Sequence, residues 1–534
     1  MLLLFGWDTS TGTTVDTDSK KRPNILLIVA DDLGYSDIGA YGGEIPTPNL
    51  DSLAASGKML TSFYAAPTCS PTRAMILSGT DNHPAGLGNM AETLAPNQRA
   101  LPGYEGYLSH RVVSFVELLA DAGYHTYISG KWHLGEQLDH GPQSRGFEES
   151  FSLRIGWANH LEPGAMPGAS LSQLYEHNGQ PVTTFPDDFF STDFYTDRMI
   201  EFIDKHNADG NPFFAYLTYT APHWPIQAPE KYLAKYDGKY DEGYDVWRSR
   251  RFERMKELGL ISPDTQLPPR TALAPAWADL SDKKKKMQAR TMSAYAAMVD
   301  NLDANIGRMF DYLKKIGEYD NTFIIFISDN GAEGNFIGKE HQEPNALESI
   351  GRKGSFMFQG PGWGQVSATP FRFWKAFTTE GGIRVPAIFR YPGIIKPNVT
   401  DTRFATVMDL APTILEFAGV SKPHETYRGH PVLPMTGRSM VPQLSGESAT
   451  HPSTEAIGWE LFGRRAIRRG DWKIVWIEAP KGSGEWELYN IVKDPVEQNN
   501  LANEKPEIVA EMISLWDDYS TENKIVLPVG PVAY

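Results

Sequence analysis

The chain has 534 residues, of which 41% are hydrophobic and 22% charged, enough to bury a large core in about two to four domains of ordinary size. Its 50 basic and 66 acidic residues leave a net charge of −16, which disfavours nucleic acid or an anionic membrane as partner and obliges any anionic substrate to find a locally positive pocket. A single cysteine excludes an internal disulfide framework and a multi-cysteine zinc site, so that thiol is either incidental or special.

Residues 1–7 are apolar, but no basic residue precedes them and they are shorter than a usual secretory core, which points to a cytoplasmic protein. With the Thr-, Asp- and Gly-rich stretch that follows, residues 1–21 read as a disordered tail without chemistry. Nowhere does the sequence approach the ~18 uninterrupted apolar residues of a spanning helix.

Asn24–Ala30 (NILLIVA) is a continuous apolar run rich in branched residues, the pattern of a central strand buried on both faces, and it ends at Asp31 and Asp32. The design recurs at residues 124–129 before Gly-Lys-Trp-His, at 212–219 before Ala-Pro-His, and at 322–327 before Asp329 and Asn330. Between the last two, Tyr295, Val299, Leu302, Ile306, Phe310 and Leu313 recur every three or four positions, predicting a helix that stops near Gly317; the lysines at 283–286 are its solvated start. Alternating strands and helices predict an α/β fold, a mostly parallel sheet with helices on both faces, whose ligands gather beyond the carboxyl ends of the strands. This unit spans 22–430. From 431 to 534 the texture changes to Gly, Pro and Ser turns and short apolar runs, then a closing helix around 506–519, and predicts a small antiparallel sheet domain.

Cys69 lies in Thr-Cys-Ser-Pro-Thr-Arg, where Pro71 suits a first helical turn and Gly79 a helix stop. That places Cys69 at a helix N-terminus, where free N–H groups favour an anion, with Arg73 one turn along on the same side. Asp31 and Asp32 are adjacent, so both can face one ion only if the strand ends in a turn, which Gly34 permits. With Asp329 and Asn330 they form an oxygen-only set suited to a hard ion, calcium or magnesium.

Cys-x-Pro-Thr-Arg followed by Leu-Ser-Gly resembles the signature of the type I sulfatases of the alkaline phosphatase superfamily, and the bacterial-type arylsulfatases most. The resemblance runs from Lys21 to about Leu501. It implies an alkaline phosphatase-like fold and hydrolysis of sulfate monoesters, aryl first and alkyl next. It also implies conversion of Cys69 to formylglycine by a formylglycine-generating enzyme, and one calcium ion held by Asp31, Asp32, Asp329, Asn330 and the modified Cys69. Lys131 and His133 match a second family motif, His223 and Lys375 two further sulfate-contacting sites. The mechanism so implied has a hydroxyl of the Cys69 aldehyde hydrate attack sulfur with Asp329 accepting its proton. His223 then protonates the leaving oxygen, and the sulfated enzyme collapses with His133 as base. Arg73, Lys131 and Lys375 stabilise the sulfuryl oxygens.

Two other readings fit the same residues: a phosphonate or phosphodiester hydrolase on this scaffold, and a noncatalytic calcium-dependent anion-binding protein in which Cys69 stays a thiol. Specificity is expected in loops 157–188 and 334–364, where Phe356, Phe358 and Trp363 offer apolar surface. A monomer acting on a small-molecule sulfate ester, with no membrane or nucleic-acid partner, is the simplest expectation.

Overall fold

The computed structural model describes residues 22–164, 170–335 and 346–530; the segment 1–21 lies outside the described residues. β1 (Asn24–Ala30) has the predicted bounds, and all seven of its residues are buried. The chain continues through β2 (Lys58–Tyr64), β3 (His125–Lys131), β4 (Glu149–Leu153), β5 (Tyr175–His177), β6 (Gln180–Pro181), β7 (Phe213–Thr218), β8 (Thr322–Ser328), β9 (Arg384–Arg390), β10 (Val399–Asp401) and β11 (Ala405–Thr406). They form one sheet in the order β10-β2-β9-β8-β1-β7-β3-β4-β5-β6, with β11 beside β2. Neighbours pair in parallel except where β9 meets β2 and β8 and where β5 meets β4 and β6. β5 and β6 fall inside the stretch 157–188 that reads as a loop, because runs of three and two residues are too short to show an alternating pattern.

The apolar run of β1 serves two cores. Leu26, Ile28 and Ala30 pack on one side with Val299, Leu302 and Ile306 of the long helix Asp282–Lys315, while Ile25, Leu27 and Val29 pack on the other with Phe115, Leu119 and Ile414. Successive side chains of a strand point to opposite faces, so only a strand covered on both faces can be apolar at every position. All six periodic positions of the long helix are buried, and Lys283, Lys284 and Lys286 at its start are exposed.

In β3 the strand runs two residues past the apolar stretch and carries Lys131 as its last residue. Register pairs Ala30 with Ser328, Val29 with Thr218, and Thr218 with Gly130. The carboxyl ends of β8, β1, β7 and β3 therefore stop level with one another, side by side.

A hairpin of β12 (Thr426–Tyr427) and β13 (His430–Pro431) is followed by a segment whose Met435, Met440 and Leu444 still pack in the main core. The second sheet is antiparallel and sequential: β14 (Ala456–Leu461), β15 (Arg464–Arg469), β16 (Trp472–Trp476) and β17 (Trp486–Asn490). Its outer face packs Ile467, Ile474 and Leu488 against Met512 and Trp516 of the closing helix Pro506–Glu522. Its inner face packs Trp459, Val475 and Tyr489 against Phe373, Trp374 and Phe377, the residues flanking Lys375. No helix among the described residues is long and apolar enough to cross a membrane.

One buried ion cluster joins the sheets. Lys473 Nζ on β16 lies 2.7 Å from Glu380 Oε1 and 2.9 Å from Glu497 Oε1, and all three side chains are fully buried. Replacing Lys473 by Ala removes the cation these two carboxylates share, so unfolding by denaturant should show a loss of about 3–5 kcal/mol. A loss under about 1 kcal/mol would mean that the carboxylates are satisfied without it.

Candidate active site

Cys69 is the first residue of the helix Cys69–Ser78, which follows Thr68 in extended conformation and is ended by Gly79 at φ 63°. The whole helix is buried, and its start faces the end of β1: Cys69 Sγ lies 3.4 Å from Asp31 Oδ1 and 3.9 Å from Asp32 Oδ1. Adjacent residues reach the same atom because Asp32 itself takes the left-handed conformation, φ 63°. This corrects the expectation placed on Gly34, which serves close approach instead: a Cβ there would lie 2.5 Å from the Cβ and the carbonyl oxygen of Ser367. His133, Phe373 and Ala376 also have positive φ, at 54°, 56° and 73°. Such residues cost roughly 1–3 kcal/mol each and persist where surrounding packing holds them, typically at functional sites.

Each aspartate has its own cation. Lys131 Nζ is 2.7 Å from Asp31 Oδ2 and Lys375 Nζ is 2.9 Å from Asp32. Arg73 donates to Asp329 Oδ2 from Nε at 2.9 Å and Nη2 at 2.7 Å, while its Nη1 donates to the carbonyl of Lys131 at 2.9 Å and to the Thr218 hydroxyl. All six side chains are essentially inaccessible to solvent. Arg73 is thus anchored to Asp329 rather than reaching toward Cys69 as an unattached side chain.

Burial, reinforced by Asp329 and Asp32 against the pull of Lys131, pushes Asp31 up to about 7. For Asp329 burial acts the same way, but Arg73, Lys131 and Lys375 outweigh it and hold its carboxyl below the ordinary range. Burial also drives the Cys69 thiol well above its usual value despite Lys131 and Lys375 nearby. The unmodified side chain is therefore a neutral thiol, a poor nucleophile.

His223 Nε2 is 3.4 Å from Asp32 Oδ2, and its Nδ1 donates to the Trp224 carbonyl at 2.6 Å. Burial, then Lys375 and Lys131, hold this imidazole well below 6.5, so it is neutral with the Nε2 lone pair turned to the cluster. Beneath it, His160 Nε2 donates to the His223 carbonyl at 2.9 Å. His133 Nε2 pairs with Glu92 Oε1 at 3.1 Å, and its buried Nδ1 has no hydrogen-bond partner among the described residues. An imidazole oriented by a carboxylate with its other nitrogen open is the arrangement of a general base.

Asn330 Nδ2 donates to Asp32 Oδ1 at 2.7 Å and to the Gly331 carbonyl at 2.8 Å, yet its buried Oδ1 has no partner among the described residues. A buried amide oxygen without a donor, beside carboxylates that already crowd one another, fits a cation ligand. Donor atoms of Asp31, Asp32, Cys69 and His223 lie within 4.8 Å of one another. With the unpartnered Asn330 oxygen, three of the five candidate donors are oxygen, and this set fits a hard divalent ion.

Sequence reasoning missed Glu92, His160, Thr218 and Glu333. Glu333 sits 3.6 Å from Lys375 Nζ, and burial raises it to about 7; it lies four positions after Asp329, close enough to have been suspected. Glu92 is on a short 3-10 turn, Ala91–Thr93, with no pattern to mark it. Of the apolar candidates, Trp363 is fully buried against Tyr240, Tyr244 and Trp277, which makes it core packing.

The fold and this charged edge define an alkaline phosphatase-like hydrolase. The sequence profile of the sulfatase family matches residues 23–420, and the profile "N-sulphoglucosamine sulphohydrolase, C-terminal" matches residues 371–518. An uncharacterized sulfatase of Schizosaccharomyces pombe is 46% identical over 95% of both chains, and an arylsulfatase of Klebsiella aerogenes is 38% identical over 79% of this chain and 92% of its own. The crystal structure of Ps i-CgsB in complex with k-i-k-neocarrahexaose superposes with a TM-score of 0.67 at 25% identity, covering 94% of this chain and 93% of that one. The chain belongs to the sulfatase family.

Glu92 is the group that draws His133 upward against burial. In Glu92→Gln the limb of the pH–rate profile due to His133 should move to lower pH, with kcat reduced about tenfold or more. A profile that keeps its shape would show that Glu92 does not orient this base.

Proposed function

We propose that the protein hydrolyses aryl sulfates, and alkyl sulfates less readily, using formylglycine made from Cys69. The observation that carries this is the position of Cys69: first residue of a helix, within 4 Å of two aspartates that are themselves held by Lys131 and Lys375. The 38% identity to an arylsulfatase supports the aryl preference.

Asp31, Asp32, Asp329 and Asn330 would hold calcium, which when bound draws charge from the sulfate oxygens while the aldehyde hydrate of Cys69 supplies the nucleophilic oxygen. The chain's own side chains do the rest. The free N–H groups of the helix start, with Lys131 and Lys375, orient the sulfate and offset the charge that grows on its oxygens. Asp329, kept ionised by Arg73, accepts the proton of the attacking hydroxyl. His223 delivers a proton from Nε2 to the leaving oxygen. Burial, then Lys375 and Lys131, hold it neutral in the free protein, and the negative charge of a bound ester favours its taking up that proton. His133, oriented by Glu92, takes the proton that must leave for sulfate to depart.

Rates on nitrophenyl sulfate and on matched phosphate diester and phosphonate esters test the reaction class. The sulfate should be turned over fastest, and activity should vanish on chelation and return with calcium. Faster phosphodiester or phosphonate cleavage makes the protein a phosphoryl hydrolase, and full activity in a metal-free sample removes the ion from the chemistry.

His223→Ala should reduce turnover of a medium-chain alkyl sulfate by about 10²- to 10⁴-fold and that of nitrophenyl sulfate much less, because a good leaving group needs no proton. Equal losses on the two esters would count against His223 as the acid.

A further inference from the structure

Next to His223 lies a group of aromatic rings that the chemistry above does not use. Trp224 follows His223 directly, with ring centroids 4.6 Å apart. Trp157 packs against Trp224 at 4.8 Å and edge-on to Phe356 at 5.3 Å, and Phe358 closes the group 5.0 Å from Trp224. Trp224 and Phe358 are buried, whereas Trp157 and Phe356 are half-buried. At its other end the wall reaches His133: a Cβ on Gly156, the residue before Trp157, would lie 2.8 Å from His133 Cε1. The segment that carries Trp157 thus passes beside the proposed base, and Trp224 lies beside the proposed acid.

The wall is held in place rather than loosely collapsed. The three segments that carry it are stapled by Gln227, whose fully buried side chain accepts from the backbone N–H groups of His160 at 3.0 Å and Leu161 at 3.1 Å and donates to the Ser355 carbonyl at 2.8 Å. Ile226 N–H adds a bond to the Met357 carbonyl at 3.0 Å. The buried indole N–H of Trp224 has no hydrogen-bond partner among the described residues.

We infer that Trp157, Trp224, Phe356 and Phe358 form a leaving-group subsite for a planar aromatic ring; this rests on the sulfate ester reading of the neighbouring site. Aromatic faces and edges favour another ring over an aliphatic chain of similar area, because the quadrupoles complement one another. Gln227 is its positioning residue, fixing the rings before any ligand arrives.

The test compares kcat/KM for nitrophenyl sulfate with that for a short alkyl sulfate in the converted, calcium-loaded enzyme and in Trp157→Ala, Phe356→Ala and Gln227→Met. Because both esters are read on one preparation, their ratio is independent of how much of a variant is folded or converted. The ratio should fall about tenfold in Trp157→Ala and in Phe356→Ala, mainly through KM for the aryl ester, and in the same direction in Gln227→Met. A ratio unchanged in the two ring variants, or an equal loss on both esters, overturns the subsite. Wild-type protein that turns over neither ester while cleaving a sugar sulfate also overturns it, and wild-type protein that cleaves no sulfate ester at all fails the underlying reading instead.

Discussion

Three carboxylates and three cations are buried together at one edge of the sheet: Asp31 with Lys131, Asp32 with Lys375, and Asp329 with Arg73. None of these charges could be buried alone, since an unpaired ion in the interior costs several kcal/mol or more. Each pair also joins segments far apart in the chain, the ends of β1 and β3, the end of β1 and the loop under the C-terminal sheet, and the end of β8 and the Cys69 helix. The pairing therefore ties the architecture to the site. Moving any one of these segments would strand a charge, which is why the level register of four strands and the packing of a second sheet both matter to the same few ångströms.

The balance of this cluster also explains its reactivity. Without an ion the carboxylates and cations nearly cancel, Asp31 rises to about 7, and the Cys69 thiol is held neutral. A divalent ion beside the orphan oxygen of Asn330 would tip the edge positive, giving an acidic protein of net charge −16 a locally cationic place of the kind an anionic ester requires.

Much of this was legible in the sequence. The run Asn24–Ala30 announced a strand buried on both faces, and polar residues after four such runs announced where a ligand would lie, because parallel strands deliver their carboxyl ends to a common edge. The helix signals around Pro71 and Gly79 placed Cys69 and Arg73 together, whereas Lys131 and Lys375 were picked out only by resemblance to the family's motifs. What stayed hidden depends on tertiary approach. The turn after β1 is made by Asp32, and Gly34 is glycine because Ser367, more than three hundred residues away, comes against it. Glu92 acquires meaning only when the chain brings it to His133. The fate of aromatic candidates was equally contextual: Trp363 disappears into the core while Phe356 and Phe358 meet Trp157 and Trp224 at the site.

The central claim is that Cys69 acts as formylglycine, and conversion can be counted. Mass analysis of the Cys69 peptide separates converted from unconverted protein, the aldehyde form being about 18 Da lighter than the thiol. Preparations of graded conversion should show aryl sulfatase activity that rises in proportion to the converted fraction and extrapolates to zero with none. Activity that does not follow conversion, or that persists in Cys69→Ala, would contradict the account.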